Sequence, residues 1–408
     1  IEELIERQRQ EFEGFKAIAY VPRAQESKLR GYLESSLIKI VMGPRRAGKS
    51  RLIQKVLENE KVAYINFEEE RFSNVTGEQI IEAAHKIYPS AKYWYLDEIQ
   101  DFFEWEKILN KLHRRGYNLV VTGSNARLLS SELATALTGR HLPLELFPFS
   151  YSEFLQARNI RRSWESFGDY LDCGGFPEVV LNTALDPGIY LNTLFDSIVL
   201  KDLIKRKSIR VPAYLTNSIS LLIQNISSRT SARAIAKALN NTPTYTTVEK
   251  YIEYVREAYL IETIHAFKFK PKERIQSERK PYSIDTGFIK ARTRQVLSLQ
   301  GRQLENAVYL ELRRRGYAAG DSLFYYRSDE GLEVDFLVRE GHVTTQLIQV
   351  CLDLSSFQAQ DREVRALLKA KLQHPDASLL IVTANESGSI EVSNGQAVKL
   401  VPVFEFCA

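Results

Sequence analysis

The feature that most constrains this chain is a glycine-rich run that directly follows a short apolar segment. Leu37-Ile38-Lys39-Ile40-Val41-Met42 has the composition of a buried strand, and Gly43 to Ser50 read Gly-Pro-Arg-Arg-Ala-Gly-Lys-Ser. A Gly-x-x-x-x-Gly-Lys-Ser loop curls its backbone N–H groups around a phosphate, and its lysine and serine reach the phosphate oxygens and Mg²⁺. A chance glycine-rich turn is the alternative, but the helical pattern that begins at Arg51 favours a helix N-terminus aimed at the phosphate.

This run predicts which residues bind a nucleotide, with Lys49 as the phosphate counter-charge and Ser50 as a Mg²⁺ ligand. The predicted set is Gly43, Pro44, Arg45, Arg46, Ala47, Gly48, Lys49, Ser50 and Arg51.

Two carboxylates follow a second apolar strand candidate, Lys92 to Leu96. In phosphate-loop proteins an acid at this position holds the Mg²⁺ shell, which predicts that role for Asp97. Glu98 is predicted to polarise the attacking water, so the pair indicates hydrolysis rather than binding alone. Taken without the loop, Asp-Glu after a strand is more often a helix cap that complements the helix dipole.

Further apolar runs predict the rest of a parallel α/β sheet. The strand candidates are Val62 to Phe67, Asn118 to Gly123 and Leu142 to Leu146. Ser124 and Asn125 end the run that should lie beside the carboxylate strand, so they are predicted to orient the lytic water or touch the γ-phosphate. Asn66 is a candidate for restraining Glu98, although polar residues at strand ends are usually turn formers.

With these motifs the chain resembles the AAA+ ATPases, in particular an archaeal and bacterial group. The matching residues are Gly43 to Ser50, Leu96-Asp97-Glu98-Ile99-Gln100, Gly123-Ser124-Asn125 and Leu137-Thr138-Gly139-Arg140. The resemblance implies ATP and ADP as ligands, Mg²⁺ as cofactor, and a homo-oligomer for which a hexameric ring is one candidate. It also implies that Arg140 reaches the nucleotide of a neighbouring subunit as an arginine finger. A local ion pair is the alternative role for Arg140.

Length and composition fit a protein of about three domains with real cores, since the chain has 408 residues of which 44% are hydrophobic. No window approaches the roughly 20 apolar residues of a membrane span, and no signal peptide opens the sequence, so we expect a cytoplasmic protein without membrane contact. Cys173, Cys351 and Cys407 lack metal-ligand spacing. They are expected to be small buried residues.

Past residue 150 the pattern becomes helical, as expected for the lid that AAA+ proteins place over the nucleotide. Its clearest element is Gly174-Gly175-Phe176-Pro177. In similar ATPases such an element contacts the nucleotide, so the resemblance implies nucleotide binding by Pro177. A plain turn between helices is the alternative.

Three helical patterns and a predicted two-stranded wing suggest a winged helix over residues 211–292. The helices are Ile219 to Ile226, Thr230 to Leu239 and Thr246 to Val255, and the wing strands are Leu260 to Ile264 and Ala266 to Arg274. The hydroxyl-rich start of the third helix predicts DNA contacts by Thr246, Thr247 and Lys250.

Positive charge is concentrated in two segments. Residues 266–280 carry six basic and two acidic side chains, and residues 201–210 carry five and one, so each has a net charge of +4, equal to that of the whole chain. This concentration of positive charge predicts that the protein binds a polyanion, namely DNA. The residues predicted to contact it are Lys268, Lys270, Lys272 and Arg274. The alternatives are solvated faces and a winged helix that binds protein.

The last third resembles a PD-(D/E)xK nuclease-like domain. Active members need an acid on the first helix, an Asp on the second strand and Glu-x-Lys on the third. Here Glu305 and Asp335 match, but Gln349 and Cys351 replace the Glu and the Lys. An amide is a poor Mg²⁺ ligand and a thiol lacks the lysine charge, so we expect a surviving fold with lost or severely weakened cleavage.

Together these patterns predict an α/β fold of four parts: a P-loop AAA+ parallel-sheet core (1–150), a helical lid (151–210), a winged-helix domain (211–292) and a small restriction-endonuclease-like domain (293–408). The predicted function is Mg²⁺-dependent ATP hydrolysis coupled to remodelling of, or translocation on, duplex or branched DNA. A slow nucleotide-gated switch that binds DNA or protein and an ATP-regulated nuclease are the alternatives.

Overall fold

Five parallel strands organise the amino-terminal part of the chain. They are β1 (Ile38–Met42), β2 (Val62–Asn66), β3 (Tyr93–Asp97), β4 (Asn118–Gly123) and β5 (His141–Glu145). Their order is β2-β3-β4-β1-β5. Both β1 and β3 are buried along their whole length, as apolar strands covered by helices should be. The predicted parallel α/β sheet is confirmed.

The structure is a computed structural model that describes residues 1–14, 20–126, 137, 139–293, 300–392 and 396–408. These residues form two compact units, one of Ile1–Pro148 with Glu257–Tyr259 and one of Phe149–Arg256 with Leu260–Ala408. The helices of the first unit are α1 (Glu2–Gly14), α2 (Glu26–Leu33), α3 (Lys49–Val56), α4 (Gly77–Ile87) and α5 (Trp105–Arg114).

Helix α1, to which the sequence assigned no role, covers the edge strand β2. The Gln8 amide donates to the Asn66 carbonyl at 3.0 Å and accepts from the Asn66 N–H at 3.1 Å, so it pairs with the strand as a neighbouring strand would. The Phe12 ring stacks on Tyr64 with centroids 4.7 Å apart. Because an uncovered edge invites pairing with other chains, α1 protects the sheet.

The second unit begins with four helices, α6 (Tyr151–Arg158), α7 (Trp164–Cys173), α8 (Pro177–Leu181) and α9 (Pro187–Ile198), which leads into a π-helix at Val199–Lys205. Ser150 and Ser163 cap α6 and α7 with reciprocal capping boxes. The helical pattern predicted past residue 150 is therefore observed.

Four helices and a two-stranded sheet follow: α10 (Pro212–Gln224), α11 (Ala232–Ala238), α12 (Tyr245–Glu257), β6 (Ile261–His265), α13 (Pro271–Gln276) and β7 (Arg279–Ser283). Strands β6 and β7 are antiparallel, and Thr230 bridges to Arg279. The prediction of a second wing strand over Ala266 to Arg274 is wrong. Pro271 starts a helix there, since its fixed φ suits a first turn, and the pairing strand lies later in the chain.

The last part is a six-stranded mixed sheet in the order β12-β13-β11-β10-β9-β8. Its strands are β8 (Leu323–Arg327), β9 (Glu333–Glu340), β10 (Val343–Cys351), β11 (Ser378–Thr383), β12 (Gly388–Val392) and β13 (Gln396–Pro402). The helices are α14 (Thr286–Arg292), α15 (Gln300–Arg314), α16 (Phe357–Lys371) and α17 (Val403–Phe406). Leu337, Leu347, Leu367 and Ile381 are fully buried in its core. All three cysteines are buried and free, as expected.

Candidate active site

The glycine-rich loop joins β1 to α3, as predicted. Gly43 has a φ of 147°, and a side chain there would collide with the Leu146 carbonyl, so the loop needs glycine at its start. Gly48 adopts a left-handed conformation, with φ of 94°, just before α3. The buried Lys49 ammonium donates to the carbonyls of Gly43 at 3.0 Å and Pro44 at 3.1 Å. The lysine side chain is thereby held against the backbone of its own loop.

Asp97, at the carboxyl end of β3, lies beside Ser50 from α3. The Ser50 hydroxyl donates to the two carboxylate oxygens at 3.3 and 3.1 Å. Tyr64 donates a hydrogen bond of 3.1 Å, and Thr122 donates another. Burial, followed by the nearby Glu98 charge, raises the pKa of Asp97. A cation bound next to the Asp97 carboxylate would stabilise its ionised form.

Glu98 has a left-handed backbone, with φ of 50° and ψ of 47°, which is uncommon for a residue other than glycine. Its carboxylate lies 3.4 Å from the Lys49 ammonium and accepts from the Gln100 amide at 2.6 Å. Burial opposes ionisation of Glu98, but the charges of Lys49 and Arg45 outweigh it and lower the pKa to about 2. Glu98 is therefore ionised at neutral pH, as an acceptor of a water proton must be.

The restraint that the sequence assigned to Asn66 is made by Gln100 instead. Asn66 accepts from the Glu68 N–H at 3.0 Å, so its side chain serves the local turn. Gln100 also donates to the Ser124 hydroxyl at 3.4 Å, which connects Ser124 with the Glu98 carboxylate. Asn125 is buried directly after Ser124.

Sequence reasoning missed two residues that shape the site. Thr122 accepts from the Glu98 N–H at 2.9 Å while it donates to Asp97, so one hydroxyl fixes both acids. Its position on β4 beside β3 was the available signal. The buried Arg23 donates to the carbonyls of Ala47 at 2.9 Å and Phe147 at 2.7 Å, which braces the loop. No local pattern around Arg23 indicates that role.

The other predicted nucleotide-binding residues of segment 43–51 lie in the loop or at the start of α3. Arg45 forms an ion pair with Glu68, and Asp101 lies 3.9 Å away. Arg46 is exposed, with φ of 65°. Ala47 is fully buried, and Arg51 donates to the Gln54 side chain at 3.0 Å.

The chemistry of the residues present fits Mg²⁺. Among the described residues, no group of three or more His, Cys, Asp and Glu is arranged to hold a metal ion by itself. The ion prefers one or two protein oxygens together with water and substrate phosphates. Ser50 and Asp97, 3.1 Å apart beside a phosphate loop, supply that kind of incomplete shell.

Arg140 lies away from its own loop. Its carbonyl accepts from the Ile38 N–H at 2.9 Å, at the start of β1, whereas the loop follows the other end of that strand. Five strand residues span roughly 16 Å. The side chain is exposed, and within the described ranges Arg140 makes no ion pair. The local ion pair considered as an alternative is thus not observed there.

The Gly174-Gly175 pair serves packing within the second unit. Gly175 donates its N–H to the Asp285 carboxylate at 2.8 Å, and Asp285 also caps α14 through the Gly287 N–H at 2.9 Å. Gly174 has φ of 71°, and a Cβ there would collide with the same carboxylate. Burial raises the pKa of Asp285 to about 6. Pro177 occupies the first turn of α8.

The predicted DNA-contacting residues fall into two groups. Thr246 and Lys250 are exposed on the first turns of α12, and Thr247 is half-buried, with Thr246 and Thr247 bonded to the Thr244 hydroxyl at 3.0 and 3.1 Å. Of the second group, Lys270 and Lys272 are exposed and Lys268 is half-buried.

Three basic residues of segment 266–280 are used internally. Arg274 donates to the carbonyls of Lys268 at 3.1 Å and Gly320 at 3.4 Å and packs on the Phe324 ring, so it is not placed as a phosphate contact. Arg279 pairs with Glu249, and Lys280 is 1% exposed. The segment's charge as counted from sequence therefore overstates what reaches its surface.

The two acids of the nuclease-like pattern do lie together. Glu305 on α15 and Asp335 on β9 both accept from the Lys280 ammonium, at 3.0 and 2.9 Å. Burial, with the Asp335 charge, raises the pKa of Glu305 to about 8. Neither acid is a surface residue, since both are about nine-tenths buried.

Gln349 lies at the same site, whereas the Cys351 thiol bonds to a backbone carbonyl. The Gln349 amide accepts from the Asp335 N–H at 3.2 Å and donates to the Glu363 carboxylate at 2.5 Å. The Cys351 thiol donates to the Asp353 carbonyl at 3.2 Å, and burial raises its pKa to about 11.

The sheet, the loop and the paired carboxylates together define a P-loop ATPase domain of AAA type. The family model described as an AAA domain matches residues 35–155. Two domains of unknown function follow, DUF8612 over residues 165–297 and DUF4143 over 300–404.

An uncharacterized protein of Methanocaldococcus jannaschii, MJ1544, is 32% identical to this chain over 400 residues, covering 90% of the chain and 87% of the relative. An uncharacterized protein of Haemophilus influenzae is 31% identical over 330 residues, covering 76% and 81%. The chain belongs to the family of these two proteins.

Solved structures with a similar chain include a Walker-type ATPase of Pyrococcus abyssi, with a TM-score of 0.45 and 16% identity over 67% of this chain and 96% of that one. A signal transduction ATPase with numerous domains from Pyrococcus horikoshii has a TM-score of 0.29 and 14% identity, over 72% and 46%. In the part of the chain that the structure describes, no helix is both long and apolar enough to cross a membrane.

Proposed function

We propose that this protein hydrolyses ATP with Mg²⁺ and couples turnover to the binding and remodelling of DNA. The observation that carries the proposal is the convergence of Lys49, Ser50, Asp97 and Glu98 at one edge of the parallel sheet. The hydroxyl of Ser50 lies 3.1 Å from Asp97, and the ammonium of Lys49 lies 3.4 Å from Glu98.

Each of these side chains has a distinct task. Lys49 and the loop N–H groups would hold the β- and γ-phosphates, and Ser50 and Asp97 would hold Mg²⁺, which would neutralise charge that develops on the phosphates. Glu98 accepts a proton from the attacking water, and Ser124 and Asn125 orient that water. For Glu98 to act, its carboxylate must exchange the Lys49 and Gln100 contacts for the water.

Arg140 completes the site of a neighbouring copy in this proposal. Its position at the amino end of β5, at the opposite edge from its own loop, supports action in trans and a homo-oligomer in which subunits share sites. A hexameric ring is the arrangement that resemblance to AAA+ proteins suggests. Pro177 and the residues around it would then report the nucleotide state from the lid.

The second unit supplies the DNA contacts. The element order α10, α11, α12, β6, β7 supports a winged helix whose third helix presents Thr246, Thr247 and Lys250. Arg233 and Lys237 on α11 are also exposed, and Arg233 packs over the Tyr245 ring at 5.2 Å. This surface combines hydroxyls, cations and an aromatic ring, the groups that phosphates and bases contact.

The test is the ATPase rate measured alone and with duplex, single-stranded and four-way junction DNA. Stimulated multiple turnover by at least one DNA supports a motor or remodeller. A slow rate that no DNA changes would contradict coupling to DNA and favour the second candidate, a nucleotide-gated switch. The observation in favour of a switch is the restrained Glu98 carboxylate, held by Lys49 and Gln100.

A further inference from the structure

A buried lysine occupies the centre of the acidic cluster in the last sheet. Lys280, from β7, is 1% exposed and places its ammonium 3.0 Å from Glu305, 2.9 Å from Asp335 and 2.8 Å from Glu333. These three acids come from α15 and β9. One cation therefore joins three elements of the second unit.

The Lys280 ammonium has a complete set of partners. An ammonium has three N–H donors and no acceptor, and here it faces three carboxylates within 3.0 Å. The second carboxylate oxygens of Glu333 and Asp335 also have partners. Glu333 accepts from Arg229 at 2.9 Å, and Asp335 accepts from the Val350 N–H at 2.9 Å. Tyr282 adds a bond of 2.7 Å to Glu305.

We propose that the Lys280 ammonium is a built-in cation that occupies the place a divalent metal ion would take among Glu305, Glu333 and Asp335. The cluster is then a metal-independent tie between the β6–β7 hairpin and the last sheet, and not a cleavage centre. This inference does not depend on the ATPase proposal, since it concerns other residues.

Charge and distance both support this assignment. Two positive side chains, Lys280 and Arg229, already lie against these acids, so an added divalent ion would meet like charge at the centre. Ammonium contacts near 2.9 Å are longer than the roughly 2.0–2.6 Å of Mg²⁺ or Ca²⁺ ligands. Removal of the lysine would leave three acids that small shifts could close around a metal ion.

The experiment measures Mn²⁺ binding by electron paramagnetic resonance and melting temperature in EDTA, Mg²⁺ or Mn²⁺, on nucleotide-free full-length protein. The variants are Lys280→Ala, Lys280→Ala with Asp335→Asn, and Asp335→Asn alone. Lys272→Ala, an exposed lysine of the same segment, is the matched control.

We expect the wild type and Lys272→Ala to melt alike in EDTA and Mn²⁺. Lys280→Ala should melt lower in EDTA, recover partly in Mn²⁺, and bind Mn²⁺ more tightly than wild type by at least about tenfold. Adding Asp335→Asn should abolish that gain.

Two results would overturn the proposal. One is Mn²⁺ binding or DNA nicking by the wild type that Asp335→Asn removes, a measurement that stands even if Lys280→Ala does not fold. The other is a folded Lys280→Ala protein that gains no Mn²⁺ affinity.

Discussion

At the scale of single residues, this chain uses backbone strain and burial where chemistry or close packing requires them. Glu98 holds a left-handed backbone that points its carboxylate toward Lys49 and Gln100. Gly174 holds φ of 71° against Asp285. In both places the surrounding contacts stabilise a backbone conformation that by itself costs free energy.

Gly174→Ala should destabilise the second unit. Its Cβ would collide with the Asp285 carboxylate, and alanine resists positive φ, so we expect a loss of about 2 kcal/mol or more of unfolding free energy. Gly168→Ala, inside α7 with nothing within 4 Å of its Cβ, is the matched control and should gain about 0.5–1 kcal/mol. Denaturant unfolding measures both; equal effects would refute this reading of Gly174.

His265 should make stability fall as pH falls. Burial, then the charges of Arg279 and Arg256, lowers the pKa of His265 to about 4 from 6.5. Since the folded pKa lies below the unfolded one, the stabilising contribution is present above pH 6.5 and is lost as pH falls toward 4. Melting curves should show a smaller loss between these pH values for His265→Gln. Parallel pH profiles would contradict the shift.

At the scale of elements, the sequence predicted the structure best where the pattern lies within one short segment. All five strands of the first sheet lie where apolar runs indicated, and the signal is strongest for β1 and β3, because buried parallel strands are continuously apolar. The second wing strand failed because the basic, aromatic run at Ala266 resembles a strand until Pro271 starts a helix. The Lys280 cluster was unpredictable, since β7, α15 and β9 meet only in the folded protein.

The exposed Lys270 and Lys272 and the half-buried Lys268 should contribute to DNA affinity. Changing Lys268, Lys270 and Lys272 to Ala should weaken binding alike for different sequences, and each lost phosphate contact should lower the log–log salt slope by about 0.9. The charge-matched control changes three lysines of the first unit, Lys55, which is half-buried like Lys268, and the exposed Lys86 and Lys92. Fluorescence anisotropy across salt concentrations measures both. Equal salt slopes for the two triple variants would show that the DNA-binding surface lies elsewhere. Residues 205–210 are the next candidate for it.

At the scale of the whole molecule, the proposed hydrolysis depends on subunits that share ATP sites. The sequence motifs predicted which residue types form each ATP site. They do not show which subunit supplies Arg140, because that depends on how the subunits assemble. The position of Arg140 at the far end of β1 from the loop is the structural argument for a neighbour.

Arg140→Ala should leave ATP binding intact and lower turnover by roughly 10³-fold or more, as loss of an arginine finger does. Mixing it with the inactive Glu98→Gln protein should restore part of the phosphate release, because some interfaces then combine an intact Glu98 with an intact Arg140. Absence of recovery, with mixed oligomers demonstrated by mass spectrometry, would show that Arg140 acts within its own chain or only structurally.

The most direct test of the central claim is steady-state phosphate release from ATP and Mg²⁺, measured together with nucleotide affinity, for wild type, Lys49→Ala and Glu98→Gln. We predict that Lys49→Ala loses nucleotide binding, whereas Glu98→Gln binds normally and turns over at least about 10²-fold more slowly. Glu60→Gln, which removes a surface carboxylate paired with Lys92, should match wild type. Wild-type turnover by Glu98→Gln, or normal nucleotide affinity in Lys49→Ala, would contradict the account.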